Sequence, residues 1–294
     1  MEIIEELYLI GADVYPNEPL SRHTSLMIGG KVRALIVPNG MESLLRTIRI
    51  LRRKDQTFRI MGMGTNLLVS DDGLEDFVLK TERVSGVEIF GEVLIAEAGA
   101  PLKRVCEIAM MNALSGLEEL YGIPGSIGGA VYMNAGAYGK EMKDVLEWVE
   151  LFDGEEFVRL SPSELGMGYR WSGVGKRLVT RVALRLLRSS VDEVEEKMRY
   201  FLKRRLEKQP VFERSAGSLF KRPRPDFYVG SAIEKLGMKG FRVGGMKISE
   251  KHAGFMVNEG SGTFEDAVRL IREVRRRVKE AFGEELETEV VIWR

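Results

Sequence analysis

Apolar residues recur along this chain at two periods, and the changes of period mark out its elements. Over MESLLRTIRILRR (41–53), Leu44, Leu45, Ile48 and Leu51 share one face at helical spacing, which predicts a helix. ALIVP (34–38), FRIMG (58–62) and DFVLK (76–80) predict strands, the last two around the loop MGTNLLVSDDG. GVEIF and VLIAEAG (86–99) predict a hairpin turning at Gly91, and Pro101 is placed to open a helix over PLKRVCEIAMMNAL. VLEWVELFDG, EEFVRL and LVTRVALRLL predict a meander with a turn at Asp153-Gly154. The pattern then changes. DEVEEKMRYFLKRRLEKQ (192–209) reads as a helix with its acids early and its bases late, which complements the helix dipole, and Pro210 ends it. FRVGGMKIS and AGFMVN predict glycine-broken strands. FEDAVRLIREVRRRVKEAF predicts a helix capped by Thr263 with Asp266 three residues on, stopping at Gly283. A last strand is expected over ELETEVVIWR, with Glu287 and Glu289 on one face. This layout is α+β rather than a continuous βαβ series, with a domain boundary near Ser189-Ser190.

Composition narrows the function. A chain of 294 residues has room for two domains or three, and a hydrophobic fraction of 44% fits a globular core. No apolar run approaches the ~20 residues that span a bilayer. The opening MEIIEELYLIGADVYPNE is acidic and lacks the basic region of a signal peptide, so a cytoplasmic protein is expected. The single cysteine, Cys106, has no internal disulfide partner and reads as packing. Basic and acidic residues balance at 44 each, which argues against nucleic-acid binding. The cluster RREVRRRVK is crossed by an apolar stripe of Val268, Ile271, Val274, Val278 and Phe282, leaving its arginines on a solvated face. Charged residues make up 30% and Gln occurs only at 56 and 209, a bias that points to a thermophilic source. His23 and His252 are the only histidines and cannot build a zinc site with one Cys, so no metal is expected. There is no Walker loop and no G-x-S-x-G elbow, and a Rossmann fingerprint begun at Gly62-Met63-Gly64 fails at Leu67.

What remains is glycine. GLEELYGIPGSIGGAVYMNAGAYG (116–139) holds seven glycines and no His, Lys or Cys. Its loop GIPGSIGG (122–129) and the earlier MGMGTN (61–66) can bring backbone N–H groups close to an oxygen, forming an anion nest. Tight turns in a sheet protein would explain either loop alone. The two together favour a phosphate-bearing cofactor. Three other places stand out. GYRWSG (168–173) sets Tyr169 and Arg170 in a glycine-flanked turn where Arg can hold a carboxylate. SAGSLFKRP (215–223) sets Ser218 after Gly217, and LETEV (286–290) carries the two glutamates. A loop Arg, a turn Ser and an exposed strand face are the ordinary alternatives, which spacing alone does not displace.

Taken in order, HTSLMIGG, MGMGTNLLVSDDG, EAGAPL, the 116–139 stretch, GYRWS, SAGSLFKRP, KISEKHAGFMVN and LETEV resemble the UDP-N-acetylenolpyruvoylglucosamine reductase family, in its compact subtype. Thr65 stands where that family often has Ser, Thr288 where it often has Pro, and Arg222 where some members carry Asn. The resemblance implies an α+β fold: a two-lobed FAD-binding portion of the vanillyl-alcohol-oxidase type over 1–188 (lobes about 1–82 and 83–188) and a smaller substrate-binding domain over 189–294. It implies FAD held by Gly62, Gly64, Thr65, Asn66, Leu67, Ile123, Pro124, Gly125, Ser126, Gly128 and Gly129. NADPH would reduce the flavin. The flavin would then pass a hydride to the enolpyruvyl ether of UDP-N-acetylglucosamine, giving UDP-N-acetylmuramate for peptidoglycan synthesis. Ser218 matches the family's proton donor and Arg170 its carboxylate partner. Glu289 matches its active-site glutamate, expected to act protonated because a charged carboxylate would repel an enolate. Tyr169, Lys208 and Arg222 are the expected substrate contacts, and a monomer is expected. The alternatives are another oxidase or dehydrogenase on the same flavin fold, or a flavin-binding protein without catalysis.

Overall fold

The computed structural model describes residues 3–294. The chain forms two compact units, each assembled from separated segments. The first comprises residues 1–16, 33–63 and 75–204, and the second residues 17–32, 64–74 and 205–294.

The first unit has two sheets. One runs in the order Ala12–Pro16, Val32–Pro38, Leu74–Lys80, Phe58–Met61. The helix Met41–Arg53 packs Leu44, Ile48 and Leu51 against Ala34, Ile36, Phe77 and Leu79, as its spacing predicts. Each such buried side chain contributes about 1.5–3 kcal/mol. The other sheet is antiparallel throughout, in the order Phe157–Leu160, Leu146–Phe152, Leu178–Arg185, Val93–Glu97, Val87–Phe90. Its last pair is the hairpin expected at Gly91, whose φ of 65° suits glycine. The helices Leu102–Met111 and Ile127–Tyr132 contribute buried residues to the same core. Pro101 stands one position earlier than expected, at the N-cap of its helix rather than inside it. Cys106 lies in that core with its thiol pushed well up by burial and by the acids Glu118 and Glu107, so it is not a nucleophile.

The boundary expected at 188/189 falls just ahead of the helix Val191–Lys208, whereas the compact units change over at 204/205. Val194 and Met198 are buried in the first unit's core, which ties the front of this helix to that unit.

The second unit carries a sheet in the order Arg214–Ser218, Phe255–Asn258, Met246–Ile248, Arg242–Val243. The helix Phe264–Phe282 buries Val268, Ile271, Val274 and Val278 in this unit's core, with the capping box of Thr263 and Asp266 and the left-handed Gly283 stop both formed. Its arginines do fall on the outer face. Hydrogen bonds from Arg276 and Arg277 hold the Glu273 carboxyl down at about 2. Leu26, Ile28 and Leu68 complete the core, which is why residues so early in the chain belong here. The last strand is shorter than expected. Only Val291–Trp293 is regular, paired in parallel with Leu67–Val69. Glu287 and Glu289 precede it, where Thr288 forms a single bridge to Phe220.

Candidate active site

In the first unit the two glycine loops meet. A Cβ added to Gly62 would lie 2.5 Å from Ser126 Oγ, so only glycine lets the strand end at residues 61–62 approach the second loop this closely. Ser126 caps the helix Ile127–Tyr132, its Oγ accepting from Gly129 N at 3.3 Å. The second loop lies along residues 98–102: Leu102 N donates to Gly125 O, Ile127 N to Ala100 O and Gly128 N to Ala98 O. Gly128 is therefore a packing glycine, since a Cβ there would sit 2.8 Å from the Ala98 Cβ. Ile123 packs on the core. Of the residues expected to hold a cofactor from this loop, Gly125 and Ser126 keep backbone N–H groups with no acceptor among the described residues. The same holds for Gly62 and Met63.

In the second unit the first loop continues. Gly64 has φ 68°, and a Cβ there would overlap the carbonyl oxygen of His23. Gly64 N and Asn66 N also lack an acceptor among the described residues. Leu67 begins the strand paired with Val291. Unpartnered amides at and beside closely packed glycines are groups that a phosphate-bearing cofactor can use, without a Lys. The residues present fit the pyrophosphate of FAD.

This closeness predicts a measurable effect. Gly62→Ala should weaken FAD affinity about tenfold, because the methyl displaces the Ser126 hydroxyl, a clash worth on the order of 1–3 kcal/mol. Adding Ser126→Ala should restore most of the affinity, since the new methyl then meets no oxygen. A double variant still as weak as Gly62→Ala would mean that the glycine serves something other than this contact. Flavin fluorescence titration reads both.

Arg170 lies in the first unit, in a two-residue turn closed by Gly168 N to Trp171 O and Trp171 N to Gly168 O, with φ 52°. Its guanidinium donates to Asn134 O at 3.5 Å and Gly136 O at 3.3 Å, and it lies over the Tyr169 ring at 4.9 Å. Asn134 is fully buried and ties the turn in, donating to Gly168 O and Glu141 and accepting from Lys143 N. The later part of the 116–139 stretch thus positions an arginine. Its early acid, Glu118, closes a loop by accepting from Ser115 Oγ and Gly116 N.

Ser218 lies in the second unit, just past a β-bulge. Ser215 pairs with Val257 but Ser218 with Phe255, so one extra residue is accommodated, with Gly217 at φ 79°. Ser218 Oγ is half-buried and makes no hydrogen bond among the described residues. The next residue brings in the acid: Leu219 O accepts from Glu289 N at 3.0 Å, and Lys221 N donates to Glu287 O at 2.9 Å. Ser218 and Glu289 therefore belong to segments that run side by side. The Lys221 ammonium pairs with Glu287 at 2.7 Å, which separates the two glutamates in role. Arg222 is exposed with its guanidinium 4.4 Å from the Tyr228 ring centre, and Lys208 is exposed at the end of its helix.

His23 pairs with Glu18 at 2.9 Å. His252 accepts from Gly254 N through Nδ1 at 3.0 Å, on the turn whose Gly254 O receives Leu219 N. Burial lowers its pKa, Lys239 adds to the shift, and Glu234 opposes it. A lowered folded pKa means that this residue's share of stability is fully present above the unfolded value near 6.5 and is lost as pH falls through the folded one. The unfolding free energy should therefore fall from pH 7 to pH 5, by at most ~1.4 kcal/mol per pH unit from this group. His252→Gln should flatten that slope in urea titrations at the two pH values. An unchanged slope would assign the pH dependence to other groups.

Glycine loops with unpartnered amides and no acid or base among them fit a flavin-dependent oxidoreductase, the class that comparison with known proteins shows. Residues 32–160 match an FAD binding domain, and residues 209–293 match the family described as UDP-N-acetylenolpyruvoylglucosamine reductase, C-terminal domain. The chain is 53% identical to the UDP-N-acetylenolpyruvoylglucosamine reductase of Thermotoga sp. (strain RQ2), over 99% of this chain and 97% of that one. It is 44% identical to the enzyme of that name from Fervidobacterium nodosum, over 100% and 96%. The crystal structure of the reductase from Thermus caldophilus covers 96% of this chain and 99% of its own with a TM-score of 0.81, at 35% identity. The chain belongs to the UDP-N-acetylenolpyruvoylglucosamine reductase family.

Proposed function

We propose that Ser218, Glu289 and Arg170 divide the work of reducing an enolpyruvyl ether. The reaction is the FAD-dependent, NADPH-driven reduction of UDP-N-acetylglucosamine enolpyruvate to UDP-N-acetylmuramate, a step in peptidoglycan precursor synthesis. FAD, when bound, supplies the hydride that reaches the terminal methylene carbon of the enolpyruvyl group. The electron pair of the double bond then moves to the adjacent carbon and into its carboxylate. Arg170, oriented by Asn134 O and Gly136 O, opposes the charge that builds there. Ser218 gives its hydroxyl proton to the adjacent carbon, completing the lactyl ether, and its oxygen regains a proton from solvent. Glu289, in its protonated form, donates a hydrogen bond to the same developing charge. The amides of Gly62, Gly64, Gly125 and Ser126 hold the FAD pyrophosphate, with Thr65 and Pro124 beside them. Tyr169 aligns the substrate, and Lys208 and Arg222 meet its diphosphate. Every role is filled from one chain, so a monomer suffices, and the reductant and nucleotide-sugar place the reaction in the cytoplasm.

The observation that supports this reading is the backbone pairing of Leu219 with Glu289, which runs the segment carrying Ser218 alongside the segment carrying Glu289. The test is an absorption trace without oxygen. The yellow protein should bleach with NADPH and regain its colour on addition of the enolpyruvyl nucleotide-sugar. Bleaching that never reverses would remove the substrate assignment. A protein colourless after FAD is supplied would remove the cradle.

Among the described residues no helix is long and apolar enough to cross a membrane.

A further inference from the structure

We propose that Asn66 is a positioning residue for Glu289, acting through the glutamate's backbone; this rests on the reading of Glu289 given above. In a regular antiparallel pair, Leu219 and Glu289 would exchange two hydrogen bonds. Only one forms here. Glu289 N donates to Leu219 O at 3.0 Å, but Leu219 N is turned to Gly254 O at 2.8 Å and cannot return the bond. The carbonyl of Glu289 accepts instead from Asn66 Nδ2, at 3.1 Å. Two residues on, Val291 N donates to Asn66 O at 3.0 Å. Asn66 therefore grips residues 289 and 291 together, its side-chain amide taking the place of a missing strand neighbour.

The need for such a grip follows from the local topology. Residues 287–289 run against 219–221, whereas Val291–Trp293 run in parallel with Leu67–Val69. Glu289 lies at the changeover, where neither ladder alone fixes its backbone direction. Without the amide, the carbonyl of Glu289 loses the bond that fixes its peptide plane, and the backbone that carries the carboxyl is less firmly set. Asn66 also belongs to the loop whose Gly64 and Asn66 N–H groups form the cofactor cradle. One short loop thus sets both the cofactor and the acid.

Asn66→Asp keeps the shape and removes the donor, and Asn66→Ala removes both. With FAD saturating, each should slow recovery by the enolpyruvyl nucleotide-sugar roughly tenfold more than it slows bleaching by NADPH, the value of one hydrogen bond. In a Glu289→Ala background the Asn66→Ala effect should vanish, because the amide acts only through that glutamate. In the FAD-free protein, the Glu289 and Val291 amides should exchange with deuterium roughly tenfold faster in Asn66→Asp than in wild type. Effects of Asn66→Ala and Glu289→Ala that multiply, or Asn66→Asp with wild-type recovery and exchange, would overturn the assignment. If Glu289→Ala alone leaves recovery unchanged, the role of Glu289 itself fails, a result distinct from either of those.

Discussion

Ser218→Ala should bleach with NADPH at the wild-type rate and then recover its colour with the enolpyruvyl nucleotide-sugar on the order of 10²–10⁴-fold more slowly, the usual worth of a positioned proton donor. The two phases separate because the serine takes part in only one. NADPH oxidation delivers a hydride and needs no proton from the chain. Reduction of the enolpyruvyl ether leaves a carbanion beside a carboxylate, which reverts unless it is protonated promptly. The fold should barely notice the change. Ser218 Oγ makes no hydrogen bond among the described residues, and alanine fits the strand position opposite Phe255. Thermal stability should shift by no more than about 0.5 kcal/mol, so a slower enzyme cannot be blamed on unfolding. Equal slowing of both phases would place Ser218 in cofactor binding. Wild-type recovery would move the proton donor elsewhere.

Why the serine is found there shows what a sequence can and cannot disclose. Gly217-Ser218 was visible as a turn signal, but the bulge is not a local property. It exists because Ser215 and Ser218 must pair with Val257 and Phe255, one residue out of step. Helix Met41–Arg53 needed no such partner, since its period lies within its own residues, and it forms where its spacing places it. The Thr263 capping box is likewise local, closed between residues 263 and 266. Glu287 and Glu289 were expected on a strand face. The strand begins later because its partner, Leu67–Val69, comes from more than two hundred residues away, beyond any window of local pattern. The glycine loops announced bare backbone, yet glycines alike in sequence differ in use. Gly62 and Gly64 leave amides open, whereas Gly128 closes a helix onto Ala98. The link from Asn66 to Glu289 had no sequence signal at all. Nor had the assembly of one compact unit from residues 17–32, 64–74 and 205–294, which follows from Leu26, Ile28 and Leu68 entering the later residues' core.

Arg170→Met should lower kcat for the enolpyruvyl substrate by on the order of 10²–10³-fold, as loss of an oriented charge at a developing anion does. How the loss divides between KM and kcat is the informative part. The substrate carboxylate is already charged when it binds, so some of the arginine's contribution is present from the start and must appear in KM. If Arg170 also opposes the extra charge of the enolate, the greater part appears in kcat. Arg170→Lys should fall between, since an ammonium keeps the charge but cannot hold two carbonyls and a carboxylate with one planar group. The turn constrains which variants are interpretable. Residue 170 has φ 52°, so an unbranched replacement inherits the same backbone strain as arginine, while a β-branched one adds its own. Removing the guanidinium also releases Asn134 O and Gly136 O, and a melting curve shows whether that alone loosens the unit. A loss confined to KM would make Arg170 a binding residue and leave the carbanion to Glu289 and Ser218. A loss mostly in kcat, with melting unchanged, fixes it as the group that meets the charge as it forms.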